Sequence, residues 1–202
     1  RHATRVIKLS RVIPLLDKYT DHTFVHTGQN YSDQLNSIFF DQMKIRLPDV
    51  VLNVASDTAM KSIAQILEQT DSVLDRIKPH AVLVLGDTNS ALAVIAAKRR
   101  KIPVFHLEAG NRAFDERTPE EINRRIVDHT SDINMTYSQH AKQNLVSEGL
   151  SVDRIFCVGS PMKEIFDHYG SQIDSSEILS SLNLSAKKYF LVSLHREENV
   201  DD

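Results

Sequence analysis

The sequence predicts an α/β fold in which helices cover both faces of a doubly wound, mostly parallel sheet. Short apolar runs alternate with helical patterns along the 202 residues, and the segment between Pro79 and Gly110 shows this alternation best. Residues 81–85 form a continuous apolar run typical of a strand buried on both faces, residues 89–100 follow a helical pattern, and a second apolar run covers residues 104–107. This strand–helix–strand unit predicts a right-handed crossover between two parallel strands.

The same alternation extends in both directions. Before the unit, residues 23–26 are typical of a strand, and apolar residues three and four positions apart between Met60 and Ile77 form one face of a helix. After it, Pro at a first helical position and a capping box between Thr118 and Glu121 predict the start of another helix. The remaining predicted elements are a strand over 133–137, a helix from Ser138 that Gly149 ends, a strand over 154–158 and a helix ending at Gly170.

The two ends of the chain suggest a division into domains. The chain opens in a helical pattern, although a doubly wound sheet normally begins with a strand, and it closes after the apolar run 189–194 without a covering helix. We therefore expect an N-terminal domain over residues 1–170 that lacks its first strand. Residues 171–202 are expected to hold a Ser-rich linker and the first strand of a truncated C-terminal domain.

Composition excludes several classes of protein. With 24 basic and 27 acidic residues, the net charge of −3 lacks the basic excess of a chain that binds nucleic acid through phosphate contacts. No apolar run approaches the roughly 20 residues of a membrane span, and no signal peptide opens the chain. The single Cys157 cannot form an internal disulfide, so a cytoplasmic location is expected, and its apolar strand predicts inert packing.

The candidate site lies at the carboxyl ends of the strands, where open parallel sheets bind ligands. Four of the six glycines fall at such ends: Gly28, Gly86, Gly110 and Gly159. Asp87 follows one strand of the crossover and Glu108 follows the other, so both carboxylates can face one cleft. Carboxylates beside arginines and a histidine suggest proton transfer near an anionic ligand.

Purely structural roles for some of these residues compete with the catalytic interpretation. Asp87 can equally cap the helix that follows it, and Glu121 is better explained as a capping-box residue than as a catalyst. His106 alternates with apolar neighbours and fits a core position as readily as a site. His22 and His26 would share a strand face, but nothing supplies the other ligands of a metal site. Neither a GxGxxG fingerprint nor a Walker A loop is present, which argues against nicotinamide, flavin or ATP.

Six motifs then carry a resemblance to a known family. In chain order they are Lys8 within Ile7-Lys-Leu9, His26-Thr-Gly-Gln29, Gly86-Asp-Thr88, His106-Leu-Glu-Ala-Gly110, Pro119-Glu-Glu-Ile-Asn-Arg124 and His195-Arg-Glu-Glu-Asn199. Together they resemble the non-hydrolysing UDP-N-acetylglucosamine 2-epimerase family. The resemblance implies the Rossmann-like N-terminal half of a glycosyltransferase-B-type two-domain fold, with the active site in the cleft between the domains.

The resemblance also implies a reaction. A base removes the proton at C2 of the sugar while UDP leaves C1, and UDP then adds back as C2 is reprotonated on the opposite face, without any cofactor or metal. The implied catalytic residues are Asp87, Glu108, Glu120 and His195, and the implied substrate-binding residues are Lys8, Gln29, Arg112, Arg124 and Arg196. The implied partners are a UDP-sugar and, for the full-length protein, a second copy in a homodimer.

Two departures from the family pattern bear on the site and the substrate. Ala3 stands where the family has a functional arginine, and Arg1 would match it only after a two-residue shift. Asn111 replaces the commoner leucine before Arg112, a variant that resembles the branch used in capsule and O-antigen synthesis, where the substrate can be a UDP-linked 6-deoxy-talosamine derivative. Alternatives are a glycosyltransferase of the same fold or an inactive nucleotide-sugar-binding fragment; the three carboxylates favour the epimerase.

Overall fold

The computed structural model describes residues 2–28, 33–54 and 56–192 and confirms the predicted α/β architecture. Every strand pairing within these ranges is parallel. Strand β1 (Val25–His26) pairs with β2 (Val50–Val51), and a four-stranded sheet has the order β3 (Val82–Leu85), β4 (Val104–Ala109), β5 (Ile133–Thr136) and β6 (Ile155–Cys157). Because consecutive strands are neighbours, the carboxyl ends of β3 and β4 lie side by side.

Helices connect these strands. Their bounds are α1 His2–Leu9, α2 Ile13–Tyr19, α3 Asp33–Gln42, α4 Ala59–Ile77, α5 Val94–Arg99, α6 Pro119–Thr130, α7 Gln139–Ser147, α8 Met162–Asp174 and α9 Ile178–Ser181, with short 3-10 turns at Asn89–Ala93 and Val152–Arg154. The predicted starts at Thr118 and Ser138 are confirmed, and the Ser138 side chain accepts a hydrogen bond from the Ala141 N–H. None of the described helices is long and apolar enough to cross a membrane.

The main core lies between β3, β4 and the helices α4, α5 and α6. Val94, Val104 and Val127 are fully buried in it, and Ile66 and Val73 of α4 belong to a second cluster beside β1 and β2. The continuous apolar character of these strands is explained by helices on either side of the sheet. This packing fixes the strand ends that carry the candidate site.

Three expectations for the last third of the chain are wrong. Helix α8 continues through Gly170 to Asp174. Residues 189–192 form no strand, and Phe190 and Leu191 are 98% and 90% exposed, because no described strand lies beside them to accept their backbone hydrogen bonds. Cys157 is exposed and not packed, since β6 is an edge of the four-stranded sheet within the described residues.

The chain forms two compact units, one up to Ile165 and the other from Phe166 onward. The described part of the second unit contains the rest of α8, helix α9 and the turns and irregular residues that follow it up to residue 192. The domain boundary at residue 170 and the truncated second domain remain predictions.

Candidate active site

Asp87 and Glu108 lie at the carboxyl ends of the adjacent strands β3 and β4. Gly86, which precedes Asp87, has the left-handed φ of +75°, and this turns the chain out of the sheet. Glu108 itself has φ +65°, because Leu107 pairs with Met135 and Ala109 with Thr136, which leaves Glu108 as an extra residue in β4. Such a β-bulge re-aims one side chain, and unusual backbone of this kind is concentrated at functional sites.

Cations from two helices bind the two carboxylates. Arg5 Nη2 of α1 lies 2.5 Å from Asp87 Oδ1, and Lys8 Nζ lies 2.5 Å from Glu108 Oε2. Arg124 of α6 binds both groups, since its Nη2 donates to Asp87 Oδ2 and lies 3.6 Å from Glu108 Oε1. Its other nitrogen, Nη1, donates to the Glu108 backbone carbonyl. The site is therefore two carboxylates joined by a shared guanidinium, with one further cation on each.

Helix α6 presents the rest of the site through its first turns. The Asn123 side-chain amide donates to the Asp87 carbonyl at 3.0 Å and to Asn89 Oδ1 at 2.9 Å. Glu120 precedes Asn123 and Arg124 by three and four residues, so it shares their face of the helix. The structure thus brings Glu120 to the same side of α6 as the residues that bind Asp87.

Arg5 is a site residue that the sequence reasoning missed. The family pattern pointed to Ala3 and Arg1, whereas the guanidinium that binds Asp87 and the Thr88 hydroxyl comes from Arg5. Burial lowers the pKa of Arg5, although Asp87 and Glu108 act in the opposite direction. The spacing of three between Arg5 and Lys8 on a helical pattern could have indicated that both face the sheet together.

Arg112 lies in a neighbouring ion-pair cluster and not on Asp87 or Glu108. Its side chain is 0% exposed, with Nη1 2.7 Å from Asp128 Oδ2 and with Nε and Nη2 each 2.6 Å from an oxygen of Glu148. The bidentate hydrogen bond from Arg112 lowers the pKa of Glu148 to about 2. Asp128 also accepts from the Gly110 N–H at 3.2 Å, so this cluster holds the chain two residues beyond Glu108.

His106 connects the cluster to the other strand end. Its ring is fully buried; Nε2 is 2.9 Å from the Gly86 carbonyl, and Nδ1 is 2.8 Å from Asp128 Oδ1. Nδ1 is close to the Asp128 carboxylate, but the angle is not that of a hydrogen bond, and Nδ1 has no hydrogen-bond partner among the described residues. Of the two interpretations left open, the structure supports the core position. This histidine ties the turn before Asp87 to the segment after Glu108.

Gly110 allows α7 to approach that segment closely. Its φ is +78°, and a Cβ on it would lie 2.3 Å from the Ala141 carbonyl oxygen. The Gly110 carbonyl accepts a hydrogen bond from Asn144 Nδ2 at 2.9 Å. No side chain fits here, so the strand end that carries Glu108 is fixed against α7.

Two helix-capping interpretations are wrong. The Asp87 carboxylate binds Arg5 and Arg124, and the N-cap of the following 3-10 turn is Thr88. The Thr118 side chain makes no capping hydrogen bond, and the buried Glu121 accepts instead from the Ala113 N–H at 2.8 Å. The buried Glu121 carboxylate is therefore hydrogen-bonded, as buried polar groups generally are, but to a loop and not to the helix start.

Some predicted residues lie elsewhere. Gln29, His195, Arg196 and Arg1 are outside the described residues. His22 Nδ1 is 2.7 Å from Asp17 Oδ1, and His26 Nδ1 accepts from the Gly28 N–H at 3.1 Å. Within the described ranges, no three His, Cys, Asp or Glu side chains form a group that could hold a metal ion.

A parallel α/β sheet with two cation-paired carboxylates at neighbouring strand ends is typical of an enzyme that binds its ligand at that edge and moves protons there. Comparison with known proteins agrees. The UDP-N-acetylglucosamine 2-epimerase family profile matches residues 16–202. The chain belongs to the UDP-N-acetylglucosamine 2-epimerase family.

Three relatives show how far the similarity extends. The UDP-N-acetylglucosamine 2-epimerase structure from Rickettsia bellii is 55% identical, with a TM-score of 0.90 over 95% of this chain and 52% of its own. The Methanocaldococcus jannaschii enzyme in complex with UDP-GlcNAc and UDP is 37% identical, with a TM-score of 0.90 over 98% of this chain and 55% of its own. A UDP-2,3-diacetamido-2,3-dideoxy-D-glucuronate 2-epimerase from Pseudomonas aeruginosa is 38% identical over 88% of this chain and 50% of its own length.

These comparisons confirm the fold and show how much of the relatives' length this chain covers. The chain has the parallel α/β architecture of one part of these glycosyltransferase-B-like enzymes. It spans about half the length of the curated relatives that it matches.

Proposed function

We propose that this chain supplies the sugar-side half of a UDP-sugar 2-epimerase active site. The observation that carries the proposal is the pair of carboxylates on β3 and β4, bridged by Arg124. Epimerisation at C2 requires a proton to leave one face of the sugar ring and another to arrive on the opposite face. Two carboxylates on separate strands can serve two faces of one ring, whereas a single base serves only one.

In the proposed reaction, a carboxylate takes the C2 proton while the C1–O bond to UDP breaks and its electron pair leaves with UDP. UDP then adds back to C1 of the unsaturated sugar, and C2 receives a proton from an acid on the other face. Asp87, Glu108 and Glu120 are the proposed acid–base groups, and Arg124 binds the first two. His195 is proposed to assist at the diphosphate or the sugar, with Gln29 and Arg196 binding substrate.

Lys8 is proposed to stabilise the leaving diphosphate. An ammonium group has three N–H donors, and the ion pair with Glu108 uses one of them. Arg112 is proposed to act indirectly, because its buried guanidinium holds Asp128 and hence Gly110. It orients the Glu108 strand end and does not itself contact substrate.

The proposed substrate is a UDP-linked 2-acetamido sugar. The relatives named above are two UDP-N-acetylglucosamine 2-epimerases, 55% and 37% identical to this chain, and a UDP-2,3-diacetamido-2,3-dideoxy-D-glucuronate 2-epimerase, which is 38% identical. A 6-deoxy-talosamine and fucosamine pair, and a role in cell-surface polysaccharide synthesis, are further proposals that rest on Asn111. The cytoplasmic location and the homodimer remain predictions.

Deuterium incorporation tests the proposed function. In deuterated water, the full-length protein should place deuterium at C2 of UDP-N-acetylglucosamine, as followed by NMR. Glu108→Gln should slow this exchange by about 10²–10⁴-fold, while the exposed Glu177→Gln, in the second unit, should not. Inversion with the original proton fully retained contradicts the scheme, and sugar transfer to an acceptor without exchange supports the glycosyltransferase.

A further inference from the structure

Helix α6 carries a second residue directed at the two strand ends, one turn beyond Arg124. Asp128 follows Arg124 by four residues, so both lie on the same face of the helix. The Asp128 side chain is fully buried, and each of its oxygens accepts from the Gly110 N–H at 3.2 Å, two residues after Glu108. Arg124 therefore binds the carboxylates themselves, whereas Asp128 binds the backbone that carries one of them.

The same carboxylate reaches the other strand end through a histidine ring. Asp128 Oδ1 is 2.8 Å from His106 Nδ1, and His106 Nε2 is 2.9 Å from the Gly86 carbonyl. A carbonyl oxygen can only accept, so Nε2 carries a proton and donates a hydrogen bond to Gly86. Asp128 thus contacts the segment after Glu108 directly, and the residue before Asp87 through one buried ring.

The proposed reaction weakens the contacts of Arg124 but not those of Asp128. A carboxylate that takes the C2 proton becomes neutral, and its attraction to the cations around it falls. The Asp128 carboxylate contacts the Gly110 N–H, Arg112 Nη1 and His106, and none of these groups gains or loses a proton in that reaction. Because Asp128 is 0% exposed, substrate does not reach it either. Its contacts therefore persist through every step.

We infer that Asp128 is a positioning residue for both acid–base carboxylates. It keeps the turn before Asp87 and the strand end at Glu108 in a fixed relation while either carboxylate is neutral. This role rests on the proposed function for its effect on the reaction, whereas the contacts that link the two strand ends exist without substrate.

Deuterium exchange at C2 of UDP-N-acetylglucosamine tests this role in the full-length protein. Asp128→Ala should lower the exchange rate at saturating substrate about 10- to 100-fold, the effect of misplacing reacting groups by up to about 1 Å. The KM should be nearly unchanged, because Asp128 does not contact substrate. Asp128→Asn should recover most of the rate, since its oxygen can accept from the Gly110 N–H and its NH₂ group can donate to His106 Nδ1. If Asp128→Asn is as slow as Asp128→Ala, or if the loss is in KM alone, the inference is wrong.

Asp132 provides a control for a purely structural loss, because it binds the same strand, β4, at the opposite end. Its Oδ2 accepts from the Val104 N–H at 2.8 Å, and its Oδ1 accepts from Lys98 Nζ at 2.6 Å. Asp132→Ala should lower the melting temperature and leave the exchange rate at C2 unchanged, with both alanine variants assayed well below their melting temperatures. Equal losses of rate in the two variants overturn the inference.

A pair of histidine variants covers the case in which Asp128→Ala does not fold. The glutamine amide of His106→Gln is long enough to donate to the Gly86 carbonyl, whereas the shorter asparagine of His106→Asn is not. His106→Gln should therefore exchange deuterium at C2 at least about tenfold faster than His106→Asn. Equal rates in the two histidine variants contradict a link through Gly86.

Amide hydrogen exchange of the ligand-free protein separates this role from the proposed reaction. Residues 86–88 are the decisive segment, because Asp128 does not touch them and reaches them only through His106. Their amides should exchange faster in Asp128→Ala and not in Asp132→Ala. If they do so while the wild type shows no deuterium exchange at C2, the link between the strand ends stands and the proposed function fails. If the wild type exchanges deuterium at C2 but residues 86–88 stay protected in Asp128→Ala, the reaction stands and the inference fails.

Discussion

Replacing Gly110 by alanine should displace the strand end that carries Glu108. Two costs act at this position. A left-handed φ of +78° costs an L-residue about 1–2 kcal/mol. The added Cβ would also lie 2.3 Å from the Ala141 carbonyl oxygen, where ordinary contact begins at 3.4 Å, so α7 must move by about 1 Å. Overpacking of this kind typically costs about 1–3 kcal/mol.

Gly149 provides a matched control. Its φ is +89°, and a Cβ there would meet nothing within 4 Å, so Gly149→Ala carries the backbone cost without the clash. The two variants should therefore differ by about 2 kcal/mol in the free energy of unfolding. For a chain of this size, that difference corresponds to roughly 4–8 °C in melting temperature.

The assay combines unfolding and chemistry. Thermal and urea unfolding of wild type, Gly110→Ala and Gly149→Ala give the stability difference, and the rate of C2 deuterium exchange reports on Glu108. A displacement near 1 Å can cost up to about 10²-fold in rate, so Gly110→Ala should be slow even below its melting temperature. If the two alanine variants have equal stability and equal exchange rates, the close approach of α7 does not position Glu108.

Two further predictions concern the charges. Asp87→Asn should reduce the rate of deuterium exchange at C2 by about 10²–10⁴-fold. It should also lower the free energy of unfolding by about 1–3 kcal/mol, because Arg5 and Arg124 lose the carboxylate between them. Near-normal exchange in a folded variant would show that Asp87 takes no part in the reaction. The low pKa of Glu148, about 2 in the fold against 4.5 ordinarily, stabilises the protein above about pH 4.5 and ceases to do so as the pH falls toward 2. In Glu148→Gln, Arg112 keeps Asp128 as a charged partner and has a neutral one at position 148. The difference in melting temperature between wild type and this variant should hence narrow between pH 6 and pH 3, and a constant difference would contradict this.

The sequence was sufficient to predict the elements whose patterns are local. The strand–helix–strand unit and α4 were predictable because buried parallel strands are continuously apolar and an amphipathic helix repeats its apolar residues every three to four positions. The strand expected at 189–194 was not confirmed over residues 189–192, since an apolar run becomes a strand only beside another strand. Pairing is a property of the tertiary structure and is not visible in one segment.

The candidate site was predictable only where local sequence patterns position its residues. Asp87 and Glu108 follow strands that the sequence places side by side, so their proximity could be derived. Arg5 and the buried partners of Arg112 could not, because their ion pairs join segments far apart in the sequence. Glu121 was misassigned because a capping box and a buried loop acceptor can have the same local sequence.

The sequence distances within the site imply an order of assembly. Arg124 is only 16 residues from Glu108 and 37 from Asp87, whereas Arg5 is 82 residues from Asp87 and Lys8 is 100 from Glu108. Forming a contact costs more loop-closure entropy as the intervening chain lengthens, and long-range contacts slow folding. The guanidinium of α6 should reach the carboxylates before α1 docks its two cations onto them. The ion pairs of Asp87 and Glu108 would then be completed late in folding, when α1 packs against the sheet.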